Sequence, residues 1–211
     1  MILDLCSGLG GASQAFVDNG VEVIRVDIDR GFKPTIQADV QQLPIRSDLK
    51  PELVIFCPPC NCFSIASVYR HWDNGKPRES TKKAIQLVKN GMKEIQRLKP
   101  KYWIMENPMG MLRKAIGKPT STIRQSDFGS PHKKLTDLWG NVPFKMRPVM
   151  GNWLKAPRGD HRFSIQGRPW SSVEETIKGP NRSALRAKLP YGFSEALYEA
   201  TIITYQSEGK Q

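Results

Sequence analysis

The chain has 211 residues, of which 39% are hydrophobic and 25% are charged, a composition typical of a soluble globular protein. No apolar run approaches the roughly 20 residues that a membrane-spanning helix needs, and the first residues show no signal-peptide pattern. These features exclude an integral membrane protein and predict a cytoplasmic protein with one main domain.

Charge is distributed unevenly along the chain, whose net charge is +12. Residues 1–50 contain five Lys or Arg against seven Asp or Glu, whereas residues 51–211 contain 27 against 13. A polyanion bound by the later part of the chain would account for this asymmetry, because neutralised phosphates release counterions. We therefore expect a nucleic-acid partner.

Strand-like and helix-like segments alternate over the first 145 residues. The clearest helix, at residues 81–98, repeats apolar side chains at three- and four-residue spacing, and Pro100 stops it. Another helix follows Gly10-Gly11 and ends near Asn19-Gly20. Such alternation predicts an α/β fold, with a mostly parallel sheet and helices on both faces. Strands are predicted at residues 2–6, 22–28, 35–38, 53–56, 102–105 and 121–125.

Residues 141–185 interrupt this alternation. They are rich in Pro, Gly and Arg, and they contain eight basic against three acidic residues. This composition predicts a small irregular basic subdomain or a long ordered loop. A last helix is predicted from residue 194 to about residue 205.

A glycine-rich turn follows the first strand in the segment Asp4-Leu5-Cys6-Ser7-Gly8-Leu9-Gly10-Gly11. Its glycines let a ligand approach the backbone near a helix N-terminus. Asp27 ends the second strand, where a carboxylate can bind ribose hydroxyls, and Asp39 ends the third. A generic α/β turn is the alternative, but the two acids favour an adenosine-type ligand. Ser13 replaces the last glycine of the dinucleotide fingerprint, which disfavours NAD.

Cys60 lies in Pro58-Pro59-Cys60-Asn61, directly after an apolar run. The two prolines end the strand, so the thiol is presented at the carboxyl end of the predicted sheet, where ligands bind. Glu106-Asn107-Pro108 ends a later strand, and a buried carboxyl there would have a raised pKa and could donate a proton at neutral pH. A helix N-cap is the alternative.

The cysteine pattern does not predict a metal site. Three of the four cysteines lie within six positions, and no second Cys/His pair follows at ligand spacing. Reduced thiols are expected.

Taken in order, these motifs resemble those of the cytosine-C5 DNA methyltransferase family, from residue 1 to about residue 140. The most specific part is Pro-Pro-Cys-x-x-Phe-Ser at residues 58–64, followed by Glu106-Asn107. The resemblance implies a Rossmann-like catalytic domain at residues 1–140 that depends on S-adenosylmethionine. It further implies a reduced target-recognition-like segment at 141–185 and a C-terminal helix within 186–211 that returns to the catalytic domain.

The same resemblance implies roles for individual residues. Cys60 would be the nucleophile that attacks C6 of a flipped cytosine, and Glu106 would act at N3 of the base. Asn107 and Lys134 would complete the catalytic set. Asp27 would hold the cofactor ribose and Asp39 its adenine. Other cofactor contacts would come from Asp4, Cys6, Gly8, Leu9, Gly10, Gly11, Ile28, Val40 and Pro58. The expected partner is double-stranded DNA, bound by a monomer that a microbe or virus encodes.

Several positions depart from the family pattern. Cys6 replaces the usual phenylalanine, Asn61 replaces a glutamine, and Leu189-Pro190 is only a weak substitute for a late Gly-Asn motif. The Gln-x-Arg-x-Arg motif appears only as residues 132–136, His-Lys-Lys-Leu-Thr, with Lys134 in the place of the first arginine.

Residues 65–79 would be the mobile loop that closes over the substrate. Their cations and Trp72 suit the gripping of nucleic acid, although an exposed polar loop is the alternative.

Two further functions stay open. A tRNA cytosine-C5 methyltransferase would suit the short recognition segment, although Ser64 in place of threonine disfavours it. A non-catalytic nucleic-acid-binding homologue would suit the degraded arginine motif, although Cys60 and Glu106 together argue against it.

Overall fold

A computed structural model describes residues 1–130, 134–142, 146–147 and 182–208, and in the last range it describes the side chains of 184–203. Within these ranges the chain forms nine β-strands and six α-helices. The strands are β1 (Ile2–Leu5), β2 (Val23–Asp27), β3 (Ile36–Gln37), β4 (Leu53–Phe56), β5 (Trp72–Asp73), β6 (Lys76–Pro77), β7 (Tyr102–Pro108), β8 (Ser121–Arg124) and β9 (Leu135–Gly140). The helices are α1 (Gln14–Asp18), α2 (Val68–His71), α3 (Glu79–Leu98), α4 (Leu112–Ile116), α5 (Arg182–Ala187) and α6 (Tyr191–Glu208).

Seven strands form one sheet in the order β3-β2-β1-β4-β7-β9-β8, and β5 pairs with β6 in a separate hairpin. β1 pairs in parallel with β2 and β4, and the parallel pairing continues outward to β3 and β7. β9 runs antiparallel to both of its neighbours. The predicted α/β fold, a Rossmann-like and mostly parallel sheet, is therefore confirmed.

Alternate residues of each central strand are buried on opposite faces of the sheet. Leu3 and Val54 pack on the face that α3 covers, whereas Ile2 and Ile55 pack on the face that α1 and α6 cover. Helices therefore lie on both faces, as the alternation of segments predicted. None of the helices in the described ranges is both long and apolar enough to cross a membrane.

The C-terminal helix α6 packs directly on α1. The rings of Phe16 and Tyr198 meet edge to face at 5.5 Å, and the Ala15 N–H donates to Ser194 Oγ at 2.9 Å. The helix extends beyond the predicted residues 194–205 at both ends. Its packing brings the end of the described chain back to the helix that follows the glycine-rich turn.

Strand β9 was missed by the sequence prediction. Thr136 and Asp137 lie in the middle of the strand and are completely buried, so the strand lacks the apolar pattern that identifies buried strands. Thr136 accepts a hydrogen bond from Gln125 at 3.0 Å, and Asp137 forms an ion pair with Arg113 of α4 at 2.5 Å. These partners satisfy the buried polar groups and make the strand possible.

We predict that Gly91→Ala destabilises the fold although alanine favours helix. Gly91 of α3 faces Phe56, and a Cβ added there would lie 2.5 Å from the ring carbon Cζ. Phe56 is fully buried and has no space to move away. Overpacking should lower the free energy of unfolding by about 1–3 kcal/mol, which exceeds the gain of about 1 kcal/mol in helix propensity.

Urea denaturation would measure this change. Lys93→Ala, at an exposed position of the same helix, is the control and should change stability little. A Gly91→Ala protein as stable as the wild type would contradict the close packing of α3 on β4.

Candidate active site

Four neighbouring parallel strands end at one edge of the sheet. β1 leads into the glycine-rich turn, β2 ends at Asp27, β4 leads into the loop of Cys60, and β7 carries Glu106 and Asn107. Because the carboxyl ends of parallel strands meet at the same edge, the fold brings together the residues that the sequence singled out.

Asp27 holds the start of the glycine-rich turn. Its Oδ2 accepts the Gly8 N–H at 2.8 Å, and its Oδ1 accepts the Asp29 N–H at 2.9 Å. A carboxylate can accept about four hydrogen bonds, so each oxygen keeps capacity for a further donor. Asp27 is therefore a structural support of the turn that keeps acceptor capacity at the sheet edge.

Asp4 lies beneath the turn and is completely buried. The Ser13 hydroxyl donates to its Oδ2 at 2.6 Å, while Oδ1 has no partner among the described residues. Burial raises the pKa of Asp4 to about 6. Cys6 above it adopts a left-handed backbone conformation, and burial together with the carboxylates of Asp27 and Asp4 raises the pKa of its thiol.

The outer part of this edge exposes apolar side chains beside acids. Leu9 is 40% exposed and Ile28 is 66% exposed, although both are large and apolar. Asp39 is half-buried and accepts the Gln41 N–H at 2.9 Å, whereas Val40 is buried in the core. Exposed apolar surface next to hydrogen-bonding carboxylates suits a ligand that combines a flat ring with hydroxyl groups.

Gly11 packs against the chain segment that precedes α6 rather than lying at the open edge of the sheet. A Cβ there would lie 2.6 Å from the carbonyl oxygen of Leu189, so only glycine fits between the turn and the segment before α6. Leu189-Pro190, which the sequence offered as a weak motif, thus lies directly against the glycine-rich turn.

The loop that carries Cys60 is fixed to β7. Asn107 Nδ2 donates to the Pro58 carbonyl at 3.0 Å, and the Met111 N–H donates to the Phe63 carbonyl at 2.8 Å. Gly110 packs so closely on the Phe63 carbonyl that no larger residue fits. Pro58 and Asn107 are both buried, so this connection is shielded from water.

The thiol and the carboxyl differ in exposure. Cys60 is half-buried, and burial raises the pKa of its thiol, an effect that the positive charge of Lys134 opposes and that Glu106 reinforces. Glu106 is buried, and burial raises its pKa to about 7, again opposed by Lys134. The side chains are therefore close enough to act on one another electrostatically.

Two buried oxygens at this position have no hydrogen-bond partner in the described part of the chain. They are Glu106 Oε1 and Asn107 Oδ1. Buried polar atoms are nearly always paired, so two buried oxygens without partners near the Cys60 thiol indicate a place where a ligand could bind.

Lys134, at the start of β9, provides a positive charge to the site. Its ammonium donates to the Arg186 carbonyl of α5 at 3.3 Å. The Arg186 side chain also lowers the pKa of Cys60. The sequence singled out Lys134 through a degraded motif but missed Arg186, because a cation in a short helix near the C-terminus has no pattern that would identify it.

Residues 65–79 differ from the expected loop, because they contain helix α2 and the β5–β6 hairpin and because one aromatic side chain is buried. Trp72 is only 6% exposed, and its indole N–H donates to the Cys62 carbonyl at 2.8 Å. The expectation that Trp72 grips nucleic acid is therefore wrong, because its ring lies in the core. The exposed aromatic of this segment is Tyr69, with the Arg70 guanidinium 5.1 Å from its ring centre.

Most of the segment 141–185 lies outside the described residues, as do His132 and Lys133 of the degraded motif. The described His, Cys, Asp and Glu side chains form no group of three or more that could hold a metal ion.

Comparison with known proteins identifies relatives of this chain. Residues 1–126 match the family model of the C-5 cytosine-specific DNA methylases. The chain is similar to a probable DNA (cytosine-5)-methyltransferase of frog virus 3 (isolate Goorha), with 30% identity over 156 residues that cover 67% of this chain and 70% of the relative.

Solved structures with a similar fold include a protein assigned as a DNA modification methyltransferase, encoded within a prophage (E. coli). It has 21% identity and a TM-score of 0.47, with 85% of this chain and 54% of that chain covered. A methyltransferase of Entamoeba histolytica has 14% identity and a TM-score of 0.45, with 85% and 60% covered. The chain therefore spans less than two thirds of the length of these structures.

We predict that Glu106→Gln stabilises the protein above neutral pH. The carboxyl has a pKa of about 7 in the folded chain against 4.5 as its ordinary value, so the folded state binds the proton more tightly. Glu106 therefore reduces stability progressively as pH rises from about 4.5 to about 7, and the loss levels off above that pH. Glutamine removes this penalty and should raise the free energy of unfolding by about 1–3 kcal/mol at pH 8.

The difference between variant and wild type should shrink toward zero at pH 4, because both side chains are then neutral. Urea denaturation at both pH values would measure it. Glu22→Gln, at an exposed position, serves as the control and should have little effect at either pH. Equal stability of Glu106→Gln and wild type at pH 8 would show that the Glu106 carboxylate is well solvated.

Proposed function

The chain belongs to the C-5 cytosine-specific DNA methylase family, an enzyme family, and from this premise we propose that it methylates C5 of cytosine in DNA through a covalent bond from Cys60 to C6. The observation that carries the proposal is one juxtaposition at the sheet edge. A half-buried thiol lies within electrostatic reach of a buried carboxyl whose oxygen Oε1 has no partner in the described chain.

Cytosine C5 is too weakly nucleophilic to accept a methyl group directly. Addition of the Cys60 thiolate to C6 breaks the aromaticity of the ring and places electron density on C5. Glu106, with a pKa of about 7, is protonated in a large fraction of molecules at neutral pH and can donate to N3, which stabilises the adduct. After transfer, loss of the C5 proton allows the sulfur to leave. These atoms are inaccessible within a duplex, so the base is flipped out.

The positive charges near Cys60 favour the reactive form of the thiol. Burial and the Glu106 carboxylate raise the pKa of Cys60, whereas Lys134 and Arg186 lower it. Protonation of Glu106 removes a negative charge from the neighbourhood of the thiol, so it favours formation of the thiolate. Protonation of Glu106, the proton donor for the base, and ionisation of Cys60, the nucleophile, are therefore coupled.

S-adenosylmethionine, when bound, supplies the methyl group from its sulfonium. Its place is the edge beside β1 and β2, where Asp27 has acceptor capacity for ribose hydroxyls and the exposed Leu9 and Ile28 can cover an adenine ring. Asp39 lies at the same edge and accepts one hydrogen bond on each oxygen from its own loop, so each oxygen keeps capacity for a further donor. The acceptor carboxylates and the exposed apolar surface fit the cofactor.

The β5–β6 hairpin and α4 offer a surface for the DNA backbone. Lys76, Arg78 and Lys114 are exposed, and among the described residues none of them pairs with a carboxylate. The Lys114 ammonium lies against the hairpin at Gly75, which joins the two elements. Met111, just before α4, is hydrogen-bonded to the loop of Cys60, so this cationic strip borders the proposed site.

We predict that Cys60→Ser reduces methyl transfer by about 10³-fold or more, because a serine hydroxyl is a far weaker nucleophile than a thiolate. Binding of the cofactor, measured by calorimetry, should remain unchanged. Cys62→Ser is the matched control, since it makes the same chemical change two residues away in a thiol outside the proposed reaction.

A covalent trap tests the mechanism directly. DNA containing cytosine fluorinated at C5 should form a stable adduct with wild type and with Cys62→Ser, but not with Cys60→Ser, as read by denaturing gel and mass spectrometry. Transfer to tRNA instead of DNA would favour the RNA branch of the family. Cofactor binding without transfer to either substrate and without any adduct would favour a non-catalytic role.

We predict that joint replacement of Lys76, Arg78 and Lys114 by alanine weakens DNA binding and its salt dependence. Each lost phosphate contact should reduce the slope of log K against log salt by about 0.9. The control replaces Lys89, Lys93 and Lys99, exposed residues of α3 and its C-terminal end, with the same loss of charge. Fluorescence anisotropy would measure the salt dependence of binding. Equal slopes for the two triple variants would show that DNA binds to another surface.

A further inference from the structure

Strand β2 holds the glycine-rich turn at two points through side chains on one face. Arg25 and Asp27 are two positions apart, so both project to the same side of the strand. Asp27 accepts the Gly8 N–H at 2.8 Å, and Arg25 Nη2 donates to the Gly10 carbonyl at 3.3 Å. The acceptor Asp27 and the donor Arg25 on one strand thus pair with an N–H and a carbonyl of the turn.

The Arg25 guanidinium also joins the turn to the helix that follows. Its Nε donates to Ser13 Oγ at 3.1 Å, and its Nη2 donates to Gln14 Oε1 at 2.9 Å. Ser13 in turn donates to Asp4, the residue of β1 that pairs in register with Arg25. One side chain therefore connects β2, the turn and the start of α1, and it bonds through Ser13 to β1.

The guanidinium fills the space that a side chain at position 10 would occupy. Gly10 has a φ of +70°, and a Cβ added to it would collide with Arg25 Cζ and with both terminal nitrogens. Gly8 has a similar φ of +50°, but a Cβ added there would meet no atom within 4 Å. The turn is thus confined by Arg25 at Gly10 and left open at Gly8.

We propose that Arg25 is a positioning residue, which holds the turn in its ligand-binding conformation before S-adenosylmethionine arrives. The identity of that ligand rests on the proposed function, whereas the support of the turn does not. A turn that is already ordered loses less conformational entropy when it binds a ligand. Arg25 therefore contributes to cofactor affinity although it need not touch the cofactor.

Cofactor binding tests the proposal. Calorimetry should find that Arg25→Ala binds S-adenosylmethionine roughly 5- to 30-fold more weakly than wild type, the range that one to two lost interactions produce. Arg25→Lys should recover part of the affinity, since lysine keeps the charge but not the planar fork. Arg46→Ala removes an exposed arginine that pairs with Asp48, and this variant should bind the cofactor as wild type does.

Kinetics separates positioning from general damage. If methyl transfer is measured with saturating DNA, Arg25→Ala should raise the KM for the cofactor by a similar factor and leave kcat within about twofold. A fall in kcat with an unchanged KM would overturn the proposal, as would wild-type affinity in Arg25→Ala.

A double-mutant cycle tests the contact without any ligand. Gly10→Ala should lower the melting temperature markedly in the wild-type background and much less in Arg25→Ala, because the added methyl group then has space. The backbone strain of a positive φ is common to both backgrounds and cancels. Gly8→Ala, the matched control, should lower the melting temperature equally in both backgrounds.

The outcomes are distinguishable from failure of the proposed function. Equal effects of Gly10→Ala in both backgrounds would overturn the role of Arg25. A wild-type protein that does not bind S-adenosylmethionine would instead overturn the proposed cofactor, and coupling between Gly10 and Arg25 in the melting temperatures would still establish the support of the turn.

Discussion

A buried hydrogen bond, from Asn107 Nδ2 to the Pro58 carbonyl, joins the strand that carries the carboxyl to the loop that carries the thiol. Both partners are shielded from water, so loss of the bond would leave an unpaired polar group in the interior and weaken the connection. The adjoining contact of Gly110 with Phe63 allows no larger residue. These contacts fix the loop of Cys60 relative to the strand of Glu106. A reaction that uses both side chains requires such a fixed relative position.

Burial of Glu106 has two opposing effects on the proposed chemistry. It raises the pKa of the carboxyl to about 7, which makes a proton donor available at neutral pH, and it lowers the stability of the folded chain above that pH. When ionised, the same carboxyl raises the pKa of Cys60. Lys134 lowers both pKa values, so it favours the thiolate of Cys60 but limits the rise in the pKa of Glu106 that burial causes.

The sequence predicted those parts of the structure that depend on local patterns. The parallel strands and helix α3 followed from hydrophobic periodicity, and the sheet edge brought Asp27, Cys60 and Glu106 together as the ends of their strands implied. β9 was not predicted, because Asp137 looks like a loop residue until its partner Arg113 is placed by the fold. The burial of Trp72 could not be predicted either, because a segment that combines an aromatic residue with several cations has the composition of a binding loop. Each of these misses concerns a contact between residues that are distant in sequence.

The departure at Lys134 has a physical consequence for recognition of the base. A lysine cannot form the planar, two-pronged contact of an arginine, but its charge acts on the thiol whatever its orientation. Arg186 of α5 adds a second positive charge near the same thiol. In the proposed reaction these cations stabilise the thiolate, and recognition of cytosine falls to β7.

Cytosine offers an acceptor at N3 and a donor at N4. In the proposed reaction a protonated Glu106 would supply the donor for N3, and an oxygen of β7 without a partner in the described chain, Glu106 Oε1 or Asn107 Oδ1, would supply an acceptor for N4. Thymine, with a donor at N3 and an acceptor at O4, would face the opposite pattern, so on this proposal the raised pKa of Glu106 would both assist the chemistry and favour cytosine over thymine.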